Sequence, residues 1–217
     1  MRTIRPILSV FFLLAIFTLV VSGQKQDATI ERKINLLISR MTLAEKLGQL
    51  QQLDGEYTGA ARPEQFELAR KGLLGSTLGV RGAKYTNELQ RAALESRLKI
   101  PILFGFDVIH GYRTLFPVPL GLAASWDPAM VETDAAIAAA EARSVGLHWT
   151  FAPMVDIARD PRWGRIMEGS GEDPFLGSMM AIANVRGFQG TDMSRPDKIM
   201  AWAKHFAGYG AAEAGRD

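Results

Sequence analysis

The sequence predicts an α/β fold in which helices alternate with short buried strands. Six segments carry helical signals, and four short apolar runs between them suit buried strands. Such alternation is typical of parallel βαβ units rather than of a β-sandwich or a helical bundle. A doubly wound sheet and a (β/α)₈ barrel both fit, but no GxGxxG follows a strand to support a dinucleotide-binding sheet. A closed barrel needs eight strands in typically about 250 residues, so this chain offers roughly half of one.

The six predicted helices begin or end at recognisable signals. Apolar residues at helical spacing mark 30–39, and Thr42 followed three residues later by Glu45 forms a capping box for the second helix. Proline or glycine bounds the other four, which lie between Pro63 and Gly72, from Tyr85 to Leu98, from Asp127 to Gly146 and from Asp173 onward.

The four predicted strands are short apolar runs that lie between these helices. They cover 73–80, 102–106, 147–155 and 199–206. Together with the helices they predict about four βα units. The composition, with 47% hydrophobic and 22% charged residues, is that of a globular chain that can bury a core.

The first 23 residues differ in kind from the rest. Arg2 and Arg5 precede an apolar run over 7–21, and two small residues follow it. This layout is typical of a secretory signal peptide, which we expect to be cleaved after Gly23. The run falls short of the ~20 residues that span a bilayer, so a membrane anchor is the weaker alternative. We therefore expect residues 24–217 to be one exported domain, periplasmic or secreted, without membrane contact after cleavage.

The composition also argues against several partners and cofactors. Removing Arg2 and Arg5 from 25 Lys and Arg leaves 23, against 23 Asp and Glu, so the mature chain is neutral and no nucleic-acid partner is predicted. Cysteine is absent, which excludes disulfides, thiolate metal sites and a cysteine nucleophile. The three histidines, His110, His148 and His205, do not have the spacing of metal ligands on a helix. We predict no metal and no other cofactor.

Polar residues follow three of the predicted strands directly. Asp107 follows the second strand, Asp156 follows the third, and Lys204 with His205 comes at the end of the fourth. Arg165 lies in the loop after Asp156. Because the carboxyl ends of parallel strands converge on one face, these side chains are expected to surround one small polar ligand.

The mixture of charges suits a polyol better than a phosphate or a hydride carrier. Sugar hydroxyls both donate and accept, so Asp107 can accept from two vicinal hydroxyls. The three cationic or imidazole side chains, Arg165, Lys204 and His205, can donate to the hydroxyl oxygens. We predict these four residues as the substrate-binding set.

Each of these residues also has a structural interpretation. Asp107 could cap the next helix, and Lys204 could belong to a solvated surface. Arg165 could be an ion-pair partner of Glu168 or Glu172.

Other polar and aromatic residues are interpreted as structural or stay open. His148, inside an apolar strand, is expected to be a core histidine, whereas His110 is undecided. Trp163 fits stacking on a sugar and packing in a core equally well. Capping accounts fully for Asp127 and Asp173.

Four spaced segments resemble glycoside hydrolase family 3, the β-glucosidase family, whose catalytic domain begins with a (β/α)₈ barrel. They are MTLAEKLGQ at 41–49, the HGYR-containing stretch 107–121, the stretch 151–174 with RDPRWGR at 159–165, and KHFAGYG at 204–210. They occur in family order from about residue 30 to the last residue. Several motifs in register are far more specific than any one of them.

The resemblance implies a retaining glycosidase that holds the hydroxyls of its non-reducing-end sugar through the predicted set. That set is Asp107, Arg165, Lys204 and His205. An aspartate nucleophile and a glutamate acid/base stand about 5 Å apart in such chemistry. In the family, the nucleophile follows a later barrel strand and the acid/base comes from a further domain. We therefore expect no catalytic residue in this chain and no turnover by its 217 residues alone, and Asp217 is not a candidate nucleophile.

Three substrate or function alternatives stay open. The stretch Tyr209-Gly210-Ala211 resembles the β-glucosidase branch, which favours β-glucosides or their oligosaccharides over β-xylosides. The same polar cluster would also serve a non-catalytic sugar-binding module. A Schiff-base lyase with Lys204 as the amine nucleophile is the third possibility.

Overall fold

A computed structural model describes residues 27–206 and 208–212. The predicted signal peptide, residues 1–23, lies outside the described residues. No helix within the described part is long and apolar enough to cross a bilayer. The chain divides into two compact units, Met1–Thr42 and Leu43–Asp217.

The first unit contains one helix among its described residues. This helix, α1 (Ala28–Arg40), begins after Asp27, whose side chain accepts a hydrogen bond from the Thr29 N–H at 2.8 Å. The helix predicted for 30–39 is therefore confirmed.

The second unit contains a five-stranded sheet whose strands are all parallel. They are β1 (Gln52–Asp54), β2 (Ser76–Leu78), β3 (Leu103–Phe106), β4 (Trp149–Thr150) and β5 (Met200–Ala201). Their order in the sheet is their order in the chain. A doubly wound sheet reverses its order at a switch point, whereas a barrel wall adds each new strand to the same edge. The topology therefore favours the barrel over the doubly wound alternative.

The strands differ from the sequence prediction in number and in length. β1 was not predicted, because its sequence Gln-Leu-Asp offers no apolar run. The other four are shorter than predicted. The run 147–155, for example, reaches Pro153, which has no N–H to give to a neighbouring strand, and the sheet pairing ends at Thr150.

The described residues of this unit also form six α-helices. They are α2 (Leu43–Gln49), α3 (Pro63–Arg70), α4 (Ala83–Leu94), α5 (Pro119–Ala123), α6 (Pro128–Ser144) and α7 (Pro174–Gln189), with 3₁₀ turns at Ile166–Glu168 and Tyr209–Ala211. Asp127 caps α6 by accepting from the Met130 N–H, and Asp173 caps α7 by accepting from the Phe175 N–H. The capping interpretation of both carboxylates is confirmed.

The main core lies between the helices and the outer side of the sheet. Leu89, Phe104, Ala139, Leu147 and Ile199 are fully buried within it. The alanine-rich sequence of α6 allows α7 to approach closely. A Cβ on Gly187 would come within 2.6 Å of the Ala135 Cβ, so a larger residue there would push the helices apart. This packing holds the strands that carry the candidate site.

Candidate functional site

Backbone pairing brings Lys204 beside the chain that continues β4. Met154 and Lys204 form a parallel bridge. The Lys204 N–H donates to the Pro153 carbonyl at 2.9 Å, and the Val155 N–H donates to the Lys204 carbonyl at 2.6 Å. The position of Lys204 is thus set by main-chain hydrogen bonds, which leaves its side chain free to act at the carboxyl end of the sheet.

The Lys204 ammonium contacts Asp107 across the ends of β5 and β3. Nζ lies 3.0 Å from Oδ1, and the Asp107 side chain is 45% exposed. The next residue, Val108, donates its buried N–H to the Thr150 hydroxyl at 2.9 Å, which holds the turn after β3. The alternative that Asp107 caps the next helix is wrong, because α5 begins only at Pro119.

His205 is held by a carboxylate of its own, that of Asp156. Nδ1 lies 2.8 Å from Asp156 Oδ2, and the His205 backbone N–H donates to the same oxygen at 3.2 Å. The Asp156 side chain is 2% exposed and that of His205 is 30% exposed. Sequence analysis marks Asp156 only as a carboxylate at a strand end and does not include it among the site residues.

Arg165 makes the ion pair that its structural interpretation requires, and it also reaches the site. Its Nε and Nη2 donate to the two carboxylate oxygens of Glu168 at 2.8 and 2.5 Å. The hydrogen bonds of this pair, with a smaller contribution from the opposite charges, raise the pKa of Arg165 and lower that of Glu168. The remaining Nη1 lies 3.5 Å from His205 Nε2 and 3.4 Å from the Tyr209 hydroxyl. Glu168 therefore aims the guanidinium at His205.

Trp163 packs beneath this group rather than facing a ligand. It is 1% exposed and lies in a small core with Met154 and Ala158. Its ring meets Tyr209 edge to face at 5.5 Å. Of the two interpretations of Trp163, core packing is the one that the structure supports.

The other two histidines have structural roles. His148 Nδ1 accepts the Phe104 N–H at 3.1 Å, and burial lowers the His148 pKa to about 4. His148 is thus a structural histidine that the backbone of β3 satisfies, as predicted, but it is half-buried and lies just before β4 rather than in the core. His110 Nδ1 lies 3.1 Å from the Phe116 carbonyl oxygen, and the Phe116 N–H donates to the His110 carbonyl at 2.9 Å. His110 therefore closes a loop.

The two residues of the Lys204–His205 pair each line an open cleft. The first, of about 280 Å³, is lined by Gln52, Leu78, Asp107, Phe151, Trp202 and Lys204. The second, of about 520 Å³, is lined by Arg165, His205, Phe206, Gly208 and Tyr209. The four predicted site residues therefore divide into two couples, one in each cleft, which are joined by consecutive residues of the chain.

An aromatic wall borders the first cleft. Trp149 and Trp202 stack with ring centroids 5.0 Å apart and planes 14° apart, and Phe151 lies 4.7 Å from Trp149. Gly105 makes room for this wall, since a Cβ there would come within 2.4 Å of the Trp149 indole nitrogen. Aromatic ring faces suit the C–H face of a sugar. The sequence signal for the wall is an aromatic residue at alternate positions of β4 and its continuation.

The described residues contain no group of three or more His, Asp or Glu side chains that could hold a metal ion.

Comparisons with known proteins agree with the topology. Residues 42–217 match the sequence model of a protein family, the glycosyl hydrolase family 3 N terminal domain. A periplasmic beta-glucosidase from Salmonella typhimurium is 41% identical over 83% of this chain and 24% of its own length. A putative beta-xylosidase from Formosa agariphila is 34% identical over 84% of this chain and 27% of its own length.

A solved structure agrees as well. The beta-glucosidase from Listeria innocua in complex with glucose superposes with a TM-score of 0.76 and 43% identity, over 85% of this chain and 28% of that one. The chain thus spans about a quarter to a third of the length of the relatives that it matches. Its sequential parallel strands, its strand-end residues and a family match over most of its length lead to one conclusion: this chain belongs to glycoside hydrolase family 3.

Proposed function

We propose that the protein is an exported retaining β-glucosidase that acts on terminal non-reducing β-D-glucosyl residues. In this proposal, residues 24–217 supply part of its N-terminal barrel and the hydroxyl-binding side of its sugar subsite. The observation that carries the proposal is that Asp107 with Lys204, and His205 with Arg165, line two clefts that consecutive residues connect at the carboxyl ends of the strands.

The couple formed by Asp107 and Lys204 is suited to exchange its ion pair for sugar hydroxyls. Lys204 contacts one carboxylate oxygen, and the half-exposed carboxylate keeps further acceptor positions. The Asp107 side chain is 45% exposed and that of Lys204 is 18% exposed, so solvent partly screens this ion pair, which is worth on the order of 1 kcal/mol and can be replaced by a hydroxyl. The neighbouring rings of Phe151 and Trp202 would cover the apolar face of the sugar.

We propose that the described site residues bind the sugar and do not cleave the bond. Retaining cleavage needs two carboxyl groups about 5 Å apart on either side of the scissile bond. Each described site carboxylate pairs with a cation or an imidazole, Asp107 with Lys204, Asp156 with His205 and Glu168 with Arg165, and the family resemblance places the two cleaving carboxyl groups downstream of the lysine–histidine motif. The nucleophile and the acid/base are therefore assigned to other segments of the protein, and these 217 residues alone are expected to give no turnover.

A β-xylosidase is the second candidate, and the similarity to the Formosa agariphila protein favours it. A glucoside differs from a xyloside by one hydroxymethyl group, so turnover of matched aryl glycosides by the protein that carries this chain separates the two. The Schiff-base alternative is less favoured, because contact with Asp107 suits a charged ammonium and not the neutral amine that such chemistry uses.

Export is proposed on two grounds. The segment 1–23 has the layout of a signal peptide. The Salmonella typhimurium relative is named a periplasmic protein. Detection of the mature N-terminus at Gln24 in a periplasmic or culture fraction would support the proposal, and retention of residues 1–23 in a cytosolic fraction would contradict it.

Calorimetric titration of the chain with glucose tests the sugar subsite. We expect a saturable heat of glucose binding for the unaltered chain. The affinity for glucose should be about tenfold lower in Asp107→Asn, because this variant loses a charged acceptor. Asp197→Asn is the matched control, since Asp197 also pairs with a cation, Arg195, but lines neither cleft. Absence of binding, or equal loss in both variants, would contradict the proposal.

A further inference from the structure

One buried carboxylate oxygen determines the protonation of His205. Asp156 Oδ2 receives both Nδ1 of the ring at 2.8 Å and the backbone N–H of the same residue at 3.2 Å. An ionised carboxylate only accepts hydrogen bonds, so the Nδ1 that faces it must carry a proton. A carboxylate as buried as that of Asp156 needs such donors to offset its desolvation.

The opposite nitrogen of the ring faces a donor. Arg165 Nη1 lies 3.5 Å from His205 Nε2, and a guanidinium has no acceptor. A proton on Nε2 would therefore meet an N–H of a fixed cation. Glu168 keeps that cation in place through two hydrogen bonds. The neutral Nδ1–H tautomer satisfies both neighbours at once.

Packing restricts the ring to this orientation. The Tyr209 ring lies edge to face against the imidazole, with centroids 4.5 Å apart and planes at 73°. A flipped ring would direct a carbon atom at Asp156 and leave the buried carboxylate with one donor fewer. Contacts on three sides, from Asp156, Arg165 and Tyr209, thus determine which nitrogen faces the second cleft.

We propose that Asp156 is a positioning residue that fixes His205 as the Nδ1–H tautomer, so that the one lone pair of Nε2 exchanges its long 3.5 Å contact with Arg165 for a hydrogen bond from a sugar hydroxyl. This rests on the proposed sugar-binding function. It changes the predicted role of His205 from donor to acceptor. The subsite then has an acceptor beside a donor in each cleft, Asp107 with Lys204 and His205 with Arg165, which matches hydroxyls that donate and accept.

Long-range ¹H–¹⁵N correlation spectra of the ¹⁵N-histidine-labelled chain test the tautomer. The chain has only three histidines, and His148 is an internal control of opposite tautomer because its Nδ1 accepts from the Phe104 N–H. We expect the Nδ1–H pattern for His205 and the Nε2–H pattern for His148. An Nε2–H pattern for His205 in the unaltered chain would overturn the proposal, whatever its variants do.

Two variants of Asp156 separate positioning from a general effect on folding. Asp156→Ala removes the acceptor and is expected to shift His205 toward the Nε2–H tautomer while the His148 pattern persists. Asp156→Asn keeps an acceptor oxygen and is expected to keep the Nδ1–H pattern. If Asp156→Ala does not fold, Asp156→Asn carries the test, and a change of tautomer in that folded variant contradicts the proposal.

Glucose titration of the same variants adds a functional readout. We expect about a tenfold loss of affinity in Asp156→Ala and a change within about threefold in Asp156→Asn. Equal affinity in Asp156→Ala and the unaltered chain would overturn the positioning role and leave the sugar-binding function standing. Glucose binding absent from the unaltered chain, with the expected tautomers present, would overturn the sugar-binding function and leave the tautomer assignment standing.

Discussion

Lys204 and His205 are consecutive residues, yet the carboxylates that they contact lie in opposite environments. Asp107 is half exposed and meets Lys204 through one oxygen, whereas Asp156 is buried and receives two donors from His205. An exposed pair is weak and exchangeable, while a buried carboxylate must keep its donors. The comparison teaches that Lys204 can exchange its contact with Asp107 for a ligand. Asp156 holds His205 in place before the ligand binds.

The largest expected effect is on stability and lies on the buried side. Asp156→Ala leaves two donors of His205 without their acceptor and should lower the free energy of unfolding by about 2–4 kcal/mol. Asp107→Ala, on the exposed side, should change it by less than about 1 kcal/mol. Urea denaturation of both variants measures the difference. Similar losses of unfolding free energy in the two variants would contradict the proposed difference between the Asp107–Lys204 and Asp156–His205 pairs.

The next effect is on ligand affinity and lies on the exposed side. Lys204→Met should weaken glucose binding by about 10–100-fold, because it removes a charged donor and leaves Asp107 without its cation. Stability should change by less than about 1 kcal/mol. Lys71→Met, at an exposed lysine after α3, is the control and should leave glucose affinity unchanged. If Lys204→Met did not fold, the Asp107–Lys204 pair would be needed for stability in the same way as the buried Asp156–His205 pair.

His148 contacts no carboxylate in any hydrogen bond or ion pair of the described residues, so its pH dependence can be compared with that of His205, which contacts Asp156. The His148 pKa is lowered to about 4 by burial, below its unfolded value of about 6.5. Between these values the unfolded chain binds more protons than the folded chain, so stability rises with pH and is lost as pH falls. When the pH falls from 7 to 4.5, the free energy of unfolding should decrease less in His148→Asn than in the unaltered chain. We expect the two decreases to differ by about 1–2 kcal/mol, after allowance for the partial exposure of His148. Denaturation midpoints at the two pH values check this, and parallel curves would contradict it.

The smallest expected effect concerns the backbone that presents Asp107. Thr150→Val removes the acceptor of the buried Val108 N–H and should cost about 1 kcal/mol. Thr77→Val is the matched control on β2, because the buried Thr77 hydroxyl has no partner among the described residues. That variant should be neutral or slightly stabilising. Equal costs would mean that the hydroxyl of Thr150 does not hold this turn.

Strand ends are where sequence reasoning succeeds in this molecule. The apolar runs before Asp107 and Lys204 mark buried parallel strands, and parallel topology brings their ends together. The polar strand β1 (Gln52–Asp54) could not be found this way, because its place in the sheet comes from pairing with β2 and not from its own pattern.

Partner choice is where sequence reasoning reaches its limit. Sequence places Asp156 at a strand end and offers Glu168 or Glu172 to Arg165, but it does not say which carboxylate receives which donor. Those pairings depend on side-chain positions that differ by a few ångströms, such as the 2.8 Å contact of Asp156 with His205. Trp163 is a similar case, since only its burial and its contact with Tyr209 decide between packing and stacking.

The stacked pair of Trp149 and Trp202 gives the proposed subsite an optical signal of its own. Two indoles with centroids 5.0 Å apart couple their strong electronic transitions, which produces a paired band in the far-ultraviolet circular dichroism spectrum. Trp202 lines the same cleft as Asp107 and Lys204, so a ligand bound there would change that band and the indole emission. Occupancy of the first cleft can therefore be followed in the unlabelled protein, without a chromogenic substrate and without turnover.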